Sequence, residues 1–215
     1  GRAVVEGCGM TEASMNTLSP CVGDGRASAV GCPLPGVEVV VADLTSGAVL
    51  PQGEVGMIEV SGPNVFKGYW QMPEKTREEL REDGFFITGD LGVEDDDGYV
   101  TIVGRQKDLI ISGGFNVYPK EVELILDDLD GVLESAVIGV PHPDFGEAVV
   151  AVVVRQDPAL TLEQIETVMG RDLAKFKQPK QILFQPTWPR NPMGKVQKKA
   201  LRETYDDLFG QDLPT

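Results

Sequence analysis

Two short segments of this 215-residue sequence carry residue types that suit phosphate chemistry. The first, GCGMTEA (7–13), places Thr11 and Glu12 side by side after a glycine-bounded turn. A hydroxyl donor beside a carboxylate suits a Mg²⁺-bound phosphate, although the same pattern is typical of a plain helix start. The second, PRNPMGKVQKK (189–199), sets Lys195 behind a Pro-Met-Gly turn. A lysine in that position suggests a phosphate-facing site.

Lys195 lies in the most basic part of an otherwise acidic sequence. The whole chain has a formal charge of −15, yet residues 171–202 contain nine Lys or Arg and one acid. Charge runs are usually solvated helix faces, and Lys198 and Lys199 are interpreted in that way. The acidic balance argues against nucleic acid as a partner, because a phosphate backbone demands a basic footprint.

Three further places could contribute to a nucleotide site. The segment FFITGDLG predicts a strand that ends at Asp90, a position from which acids bind a ribose diol in nucleotide folds. Arg105 and Lys107 directly follow the strand pattern GYVTIVGR, and they could face phosphate or form a charged hinge. Gly113 and Gly114 are permissive backbone, which suits either a plain turn or the close approach of a thin ligand.

The elements that must position these residues fall into two halves, which divide at Gly104-Arg105. Residues 1–104 carry 6 basic and 17 acidic residues (net −11), and residues 105–215 carry 13 and 17 (net −4). Short apolar runs between Gly and Pro predict small antiparallel β structure in the first half. Alternating helix and strand patterns predict a mixed layer domain in the second. The predicted fold class is α+β, with a small β-rich, distorted barrel-like subdomain followed by a small mixed domain.

Four segments have helical patterns. YPKEVELILDDL is amphipathic, with Val122, Ile125, Leu126 and Leu129 on one face. TLEQIETVMGRDLA begins at Thr161, a suitable N-cap, and KKALRETYDDLF closes the chain as a helix. MPEKTREELRED opens with a proline suited to a first turn.

Cys8, Cys21 and Cys32 lack the spacing of a zinc site or a disulfide framework, so a reducing, cytoplasmic compartment is expected. No window approaches the apolar length that a membrane span needs. The sequence opens GRAVVEG without an initiator Met, as if inside a strand of a longer protein. A targeting signal of that longer protein could not be read from it.

Together, the segments GMTE, GYW, TGDLG, GRQKDLIISGGFNVYPKEVE and PRNPMGK resemble the acyl-adenylate-forming superfamily of acyl-CoA synthetases, adenylation domains and luciferases. The resemblance covers essentially the whole chain. Within the superfamily, GMTEASMNT, GPNVFKGYWQMPEKT and DGFFITGDLG look most like the malonyl-CoA synthetases. The resemblance implies that residues 1–104 end the AMP-binding N-terminal domain and that residues 105–215 are the mobile C-terminal domain.

The resemblance implies roles for the residues that match the family's motifs. Gly9, Met10 and Thr11 bind the nucleotide, with Thr11 at the α-phosphate, and Glu12 helps to hold Mg²⁺. Lys195 is the catalytic lysine of the first half-reaction, which Thr11 and Glu12 also serve.

Other implied roles lie closer to the division between the halves. Asp90 binds the ribose hydroxyls and Arg105 assists it. Lys107 is the hinge between the domains. The coenzyme A tunnel is lined by Gly113, Gly114 and Phe115. The segment Gly68–Trp70 also matches the family, and it is interpreted as structural.

The implied activity has two steps. ATP, Mg²⁺ and a small carboxylic acid, malonate by the narrower resemblance, give an acyl-adenylate, and coenzyme A then takes the acyl group. A cation such as Lys195 would stabilise the negative charge that builds on the transferred phosphoryl group. Two alternatives stay open: an adenylation domain that loads an acyl carrier protein, and a non-catalytic folded module.

The sequence departs from the family pattern at two points. Cys8 occupies the position at which the family usually has a tyrosine that stacks on adenine. The family's Thr/Ser/Gly-rich phosphate loop is absent, because LTSGAVLPQGE lacks its Thr-Gly-Lys run and is interpreted as a β-turn. The chain is therefore expected to work with the rest of its own N-terminal domain, which would hold most of the acyl pocket.

Overall fold

The computed structural model describes residues 7–14, 17–19, 26 and 29–210. The chain forms two compact units, Gly1–Gln106 and Lys107–Thr215, and the division expected at Gly104-Arg105 lies two residues earlier. The strand expected at the start of the chain lies outside the described residues, as does Cys21.

The first unit is built from antiparallel strands. One ribbon pairs β1 with β2, and a four-stranded sheet has the order β3-β4-β5-β6. The strands are β1 (Leu18–Ser19), β2 (Cys32–Pro33), β3 (Glu38–Ala42), β4 (Gly56–Ser61), β5 (Phe86–Glu94) and β6 (Val100–Arg105). A bridge from Gly31 to Val100 connects the ribbon to β6. Among the described residues, no pairing closes these strands into a barrel.

The core of the first unit is small. Leu18 of β1, Ile58 and Val60 of β4, and Val100 of β6 form its buried centre. The helix α1 (Pro73–Glu79) begins at a proline, whose missing N–H would have no helical partner in the first turn anyway. The expected helix start is therefore confirmed.

The second unit is a mixed sheet with helices on both faces. β10 is its central strand. It pairs along its length with antiparallel β9 and over four residues with parallel β11. At Gly146 it also pairs with β7, and β7 pairs with β8. The strands are β7 (Ile110–Ser112), β8 (Phe115–Val117), β9 (Val132–His142), β10 (Gly146–Arg155) and β11 (Gln181–Phe184), and the helices are α2 (Pro119–Asp127), α3 (Leu162–Asp172) and α4 (Lys198–Tyr205).

β9 and β10 are buried on both sides, because two separate cores pack against them. Val137 and Val149 face the core that α2 and α3 cover, whereas Ile138 and Val150 face the core that contains Leu201 of α4. Residues of a strand alternate between faces, so a strand covered on both sides is apolar throughout. The predicted α+β class is confirmed.

The helix patterns of the second unit are also confirmed. In α2, Val122 and Leu126 are fully buried, and Ile125 and Leu129 pack beside them. α3 begins with a capping box, in which the Gln164 N–H donates to Thr161 Oγ1 at 3.4 Å and the Thr161 N–H to Gln164 Oε1 at 2.9 Å. No helix in the described parts of the chain has the length and apolar character to cross a membrane.

The cysteines and tryptophans differ sharply in their surroundings. Cys8 is a free thiol, but Cys32 takes part in a disulfide bond. The expectation of no disulfide is wrong at Cys32. Trp70, in the first unit, is 87% exposed, whereas Trp188, in the second, is 6% exposed.

Candidate functional site

Thr11–Ala13 form a single 3₁₀ turn instead of the start of a longer helix. The segment around Phe66 holds this turn in place. The Phe66 N–H donates to the Glu12 carbonyl at 2.7 Å, the Asn64 amide to the Ala13 carbonyl at 3.1 Å, and the Ser14 hydroxyl to the Asn64 carbonyl at 2.9 Å. The backbone around Glu12 is therefore fixed by contacts with residues fifty or more positions away in sequence.

The side chain of Glu12 is held as well. The Tyr69 hydroxyl lies 3.2 Å from Glu12 Oε1 and 2.5 Å from Glu79 Oε2, so it bridges two carboxylates. Burial, together with hydrogen bonds to Glu79 and Glu12, raises the pKa of Tyr69 well above its usual value. Tyr69 therefore remains a hydrogen-bond donor across the physiological pH range.

The other residues of the turn are open to ligands. Gly9 and Thr11 are exposed and Met10 is half-buried. Within the described residues, the Thr11 hydroxyl forms no hydrogen bond. This part of the chain thus presents a free hydroxyl next to a fixed carboxylate.

Asp90 does not end a strand, as the sequence suggested, but lies inside β5, which continues to Glu94. The reason is a bulge: Ile87 pairs with Glu59, but the next paired residue is Leu91, opposite Met57. The register shifts at this bulge, and Asp90 pairs on its other side with Arg105 of β6.

Hydrogen bonds at Thr88 fix the bulge. The Thr88 hydroxyl donates to the Ile58 carbonyl at 2.7 Å and accepts from the Asp90 N–H at 3.0 Å. Gly89 between them has φ +72°, a left-handed conformation that glycine adopts without steric penalty.

Asp90 and Arg105, both predicted site residues, contact each other. Arg105 Nε lies 2.7 Å from Asp90 Oδ1, and the two residues are direct partners in the β5–β6 register. Cys8 is within electrostatic reach of both. Burial raises the pKa of the Cys8 thiol, the negative charge of Asp90 raises it further and Arg105 lowers it. The structure therefore brings together the position before the GMTE turn and the Asp90–Arg105 pair.

In the second unit, Lys195 lies on a tight hairpin in which Arg190 bridges to Val196. Asn191 organises the turn, because its Oδ1 accepts from the backbone N–H groups of Met193 (3.0 Å) and Lys195 (2.9 Å). Gly194 takes φ +80°, which the turn requires. The backbone is fixed, but the exposed Lys195 ammonium forms no ion pair with the described residues.

Much of the neighbouring positive charge is neutralised within the unit. Six of the nine cations form ion pairs, namely Arg171, Lys177, Arg190, Lys198, Lys199 and Arg202. The interpretation of Lys198 as solvated is wrong: its Nζ lies 2.5 Å from Oε1 of the buried Glu123, which also accepts from the Val137 N–H. Buried carboxylates require such partners. Lys199 is 86% exposed, as expected.

Lys107 lies in a 3₁₀ turn, Gln106–Asp108, between β6 and β7. Its side chain is exposed, and it is the first residue of the second unit. The next residue, Asp108, accepts from the guanidinium of Arg202 at 3.0–3.1 Å. The residue directly after Lys107 is therefore attached to α4 of the same unit.

Gly113 and Gly114 form the two-residue turn of the β7–β8 hairpin. Their φ angles of +57° and +82° are those of a type I′ turn, which an L-residue with a side chain adopts with strain. Phe115 follows with its ring stacked on Phe176 at 4.8 Å, yet 56% of its surface stays exposed. The β7–β8 hairpin therefore exposes an apolar ring next to two glycines, which have no side chains.

Known protein families match segments of both units. Residues 1–70 match the family described as AMP-binding enzyme, and residues 121–195 match the AMP-binding enzyme C-terminal domain. The chain belongs to the AMP-binding enzyme family and corresponds to the C-terminal part of its members.

Particular relatives differ in their names. The chain is 41% identical over 204 residues to a long-chain-fatty-acid–CoA ligase of Salmonella typhimurium, covering 94% of this chain and 36% of the relative. It is 38% identical to a malonate–CoA ligase of Arabidopsis thaliana, covering 96% and 35%. Among solved structures, ATP-bound MatB from Rhodopseudomonas palustris is 59% identical with a TM-score of 0.90, covering 97% and 42%. The chain thus spans about a third of the length of these curated relatives.

Sequence reasoning missed two residues that position predicted site residues, Tyr69 and Asn191, and Glu123, which pairs with Lys198. Tyr69 was interpreted as structural, and Asn191 and Glu123 were not singled out. An Asn before a Pro-x-Gly turn is a usable signal for the hairpin, since Asn side chains hydrogen-bond the backbone two residues on. The contacts of Tyr69 and Glu123 join distant segments, which a single sequence does not reveal.

Proposed function

We propose that the full-length protein is an ATP-dependent carboxylate–CoA ligase and that malonate is its acid. Family membership, the malonate–CoA ligase relative and the likeness to ATP-bound MatB support the proposal. The observation that carries it is Lys195. It lies on a fixed hairpin and its ammonium forms no ion pair among the described residues, whereas most other cations of residues 171–202 are ion-paired.

The chemistry requires a cation in the first step. A carboxylate oxygen attacks the α-phosphorus of ATP, the bond to pyrophosphate breaks, and negative charge builds on the phosphoryl oxygens. Lys195 would stabilise this charge, since interactions that grow in the transition state accelerate the step. In the second step the coenzyme A thiol attacks the acyl carbonyl, and AMP leaves as the thioester forms.

Glu12 fits a role in holding Mg²⁺. The described residues contain no group of three or more potential metal ligands. Mg²⁺ commonly uses one or two carboxylates and completes its shell with water and substrate phosphates, so a single fixed carboxylate beside the Thr11 hydroxyl suits it. When bound, the ion would neutralise phosphate charge.

The remaining residues have complementary proposed roles. Gly9, Met10 and Thr11 contact the nucleotide, with the Thr11 hydroxyl at the α-phosphate. Asp90 accepts from the ribose hydroxyls, and Arg105 orients its carboxylate.

The second unit supplies the other half of the machinery. Lys107 serves as the hinge through its backbone. The exposed, flat hairpin of Gly113, Gly114 and Phe115 lines the path of the coenzyme A arm.

The test is a substrate panel on the full-length protein. ATP, Mg²⁺ and coenzyme A are supplied with malonate, methylmalonate, acetate or longer acids, and thioester is measured. We expect malonate to be preferred. A preference for monocarboxylic acids would contradict the malonate assignment. Transfer of the acyl group to an acyl carrier protein but not to coenzyme A would favour a carrier-loading enzyme. If no acid is turned over, the proposal of a ligase is wrong.

A further inference from the structure

Several contacts fix both the ring and the backbone of Tyr69. Its ring packs edge-on against Phe66 with centroids 4.8 Å apart, and its backbone N–H donates to Thr76 Oγ1 at 2.9 Å. Phe66 also donates its N–H to the Glu12 carbonyl. The same segment therefore fixes both the backbone of Glu12 and the tyrosine that reaches its side chain.

Gly68 explains how this segment comes so close to α1. Its φ is +138°, and a Cβ at this position would lie 2.7 Å from the Thr76 side chain. Glycine alone permits this approach. From α1, Lys75 lies over the Tyr69 ring at 4.3 Å and Glu79 accepts from its hydroxyl, so two residues of one helix hold the phenol while Thr76 holds its backbone.

We propose that Tyr69 is the positioning residue of Glu12, holding one carboxylate oxygen so that the other is presented to the metal ion of the nucleotide complex. The proposal rests on the proposed function of Glu12. The Tyr69 hydroxyl contacts Oε1, and Oε2 forms no hydrogen bond with the described residues.

The physical reason is preorganisation. A glutamate has three rotatable side-chain bonds, and ordering it when the metal binds would consume affinity. Hydrogen-bond partners of metal-binding carboxylates fix the ligand beforehand, and their loss typically weakens metal affinity or activity by about 10–100-fold. The phenol has one proton, which the two carboxylates share: its oxygen lies 2.5 Å from Glu79 Oε2 and 3.2 Å from Glu12 Oε1, so Glu79 keeps the phenol in place.

The experiment measures Mn²⁺ binding to the full-length protein saturated with a non-hydrolysable ATP analogue, by loss of the electron paramagnetic resonance signal of free Mn²⁺. Tyr69→Phe keeps the ring and removes the hydroxyl, and we expect its Kd for Mn²⁺ to rise about tenfold. Glu12→Gln should weaken binding further. The double variant should match Glu12→Gln, because Tyr69 acts through Glu12.

Tyr99→Phe is the matched control, because it removes a hydroxyl from the same unit away from Glu12, and its Kd should equal that of the wild type. A Tyr69→Phe Kd equal to that of the control would overturn the proposal, as would losses that simply add in the double variant. Failure of the proposed function looks different: the wild type would form no acyl-adenylate from any acid, while the Mn²⁺ comparison would still report on Tyr69.

Discussion

The turn that carries Glu12 and the hairpin that carries Lys195 are fixed in different ways. Both are short, and hydrogen bonds from side chains to backbone fix the main chain of each. In the first, a tyrosine also holds the charged side chain. In the second, the backbone is held, and the ammonium forms no ion pair with any residue that the structure describes.

Under the proposed function, each arrangement suits the step or steps in which its charge would act. A residue that must stay with the nucleotide through both steps gains from being immobilised beforehand. A charged residue needed in only one step benefits from a fixed backbone and a mobile side-chain end, because the charge must reach the reacting phosphate and later leave it. The following changes test that distinction, beginning with the largest expected effect.

Lys195→Ala in the full-length protein should reduce acyl-adenylate formation by about 10²–10³-fold, the usual loss when one electrostatic contact of a transition state is removed. Thioester formation from pre-made acyl-AMP should be spared, because that step does not need this charge. Both half-reactions are measured separately. Lys199→Ala is the matched control, and equal loss of both half-reactions in Lys195→Ala would make Lys195 structural.

Lys107→Pro should separate the half-reactions in the opposite direction. Proline fixes φ near −65° and removes backbone freedom where the second unit begins. ATP–pyrophosphate exchange should persist, and thioester synthesis should fall by about 10²-fold, a typical cost of misplaced reacting groups. Lys107→Ala should be mild. A proline variant that slows both steps alike, or neither, would place the hinge elsewhere.

Lys198→Met should destabilise the second unit by about 2 kcal/mol, since it leaves the buried Glu123 without its cation. This value is below the usual range for buried pairs because Lys198 is 21% exposed. Urea unfolding followed by circular dichroism measures it. Lys199→Met breaks an exposed pair instead and should change stability by less than about 0.5 kcal/mol. Similar losses for both would show that the buried pair has no special role.

Asn191→Ala removes both hydrogen bonds that fix the hairpin, and it should slow acyl-adenylate formation about tenfold through a looser Lys195. Asn191→Asp keeps an acceptor oxygen and should restore most of the rate. Thioester formation from acyl-AMP should not change in either variant. If the alanine variant is as fast as the wild type, the rigid base of the hairpin is unnecessary.

Local signals predicted much of the fold. The Thr161 cap, the apolar face of α2 and the apolar strands β9 and β10 depend on neighbours within a few residues or on burial alone, so the sequence suffices to predict them. Glu12 on the GMTE turn and Lys195 on its hairpin could also be recognised from the sequence, because glycines and prolines mark both turns.

The errors and omissions share one cause. The end of β5 was placed at Asp90 because Thr-Gly-Asp has the composition of a strand end, but the bulge depends on β4. Lys198 was interpreted as solvated because its partner, Glu123, lies 75 residues away in sequence. The role of Tyr69 depends on Glu12, 57 residues earlier. Such contacts are decided by tertiary packing, which local patterns do not encode.

The two tryptophans give the protein a built-in optical reporter. Trp70 is in water and Trp188 is in an apolar core, so their fluorescence should differ in colour, with Trp70 emitting at longer wavelength. Within these 215 residues, a Trp70→Phe variant would leave the buried Trp188, whose emission should shift to the red only when the second unit opens. Trp188→Phe would leave a dye-free probe beside Tyr69, suited to following nucleotide binding in real time.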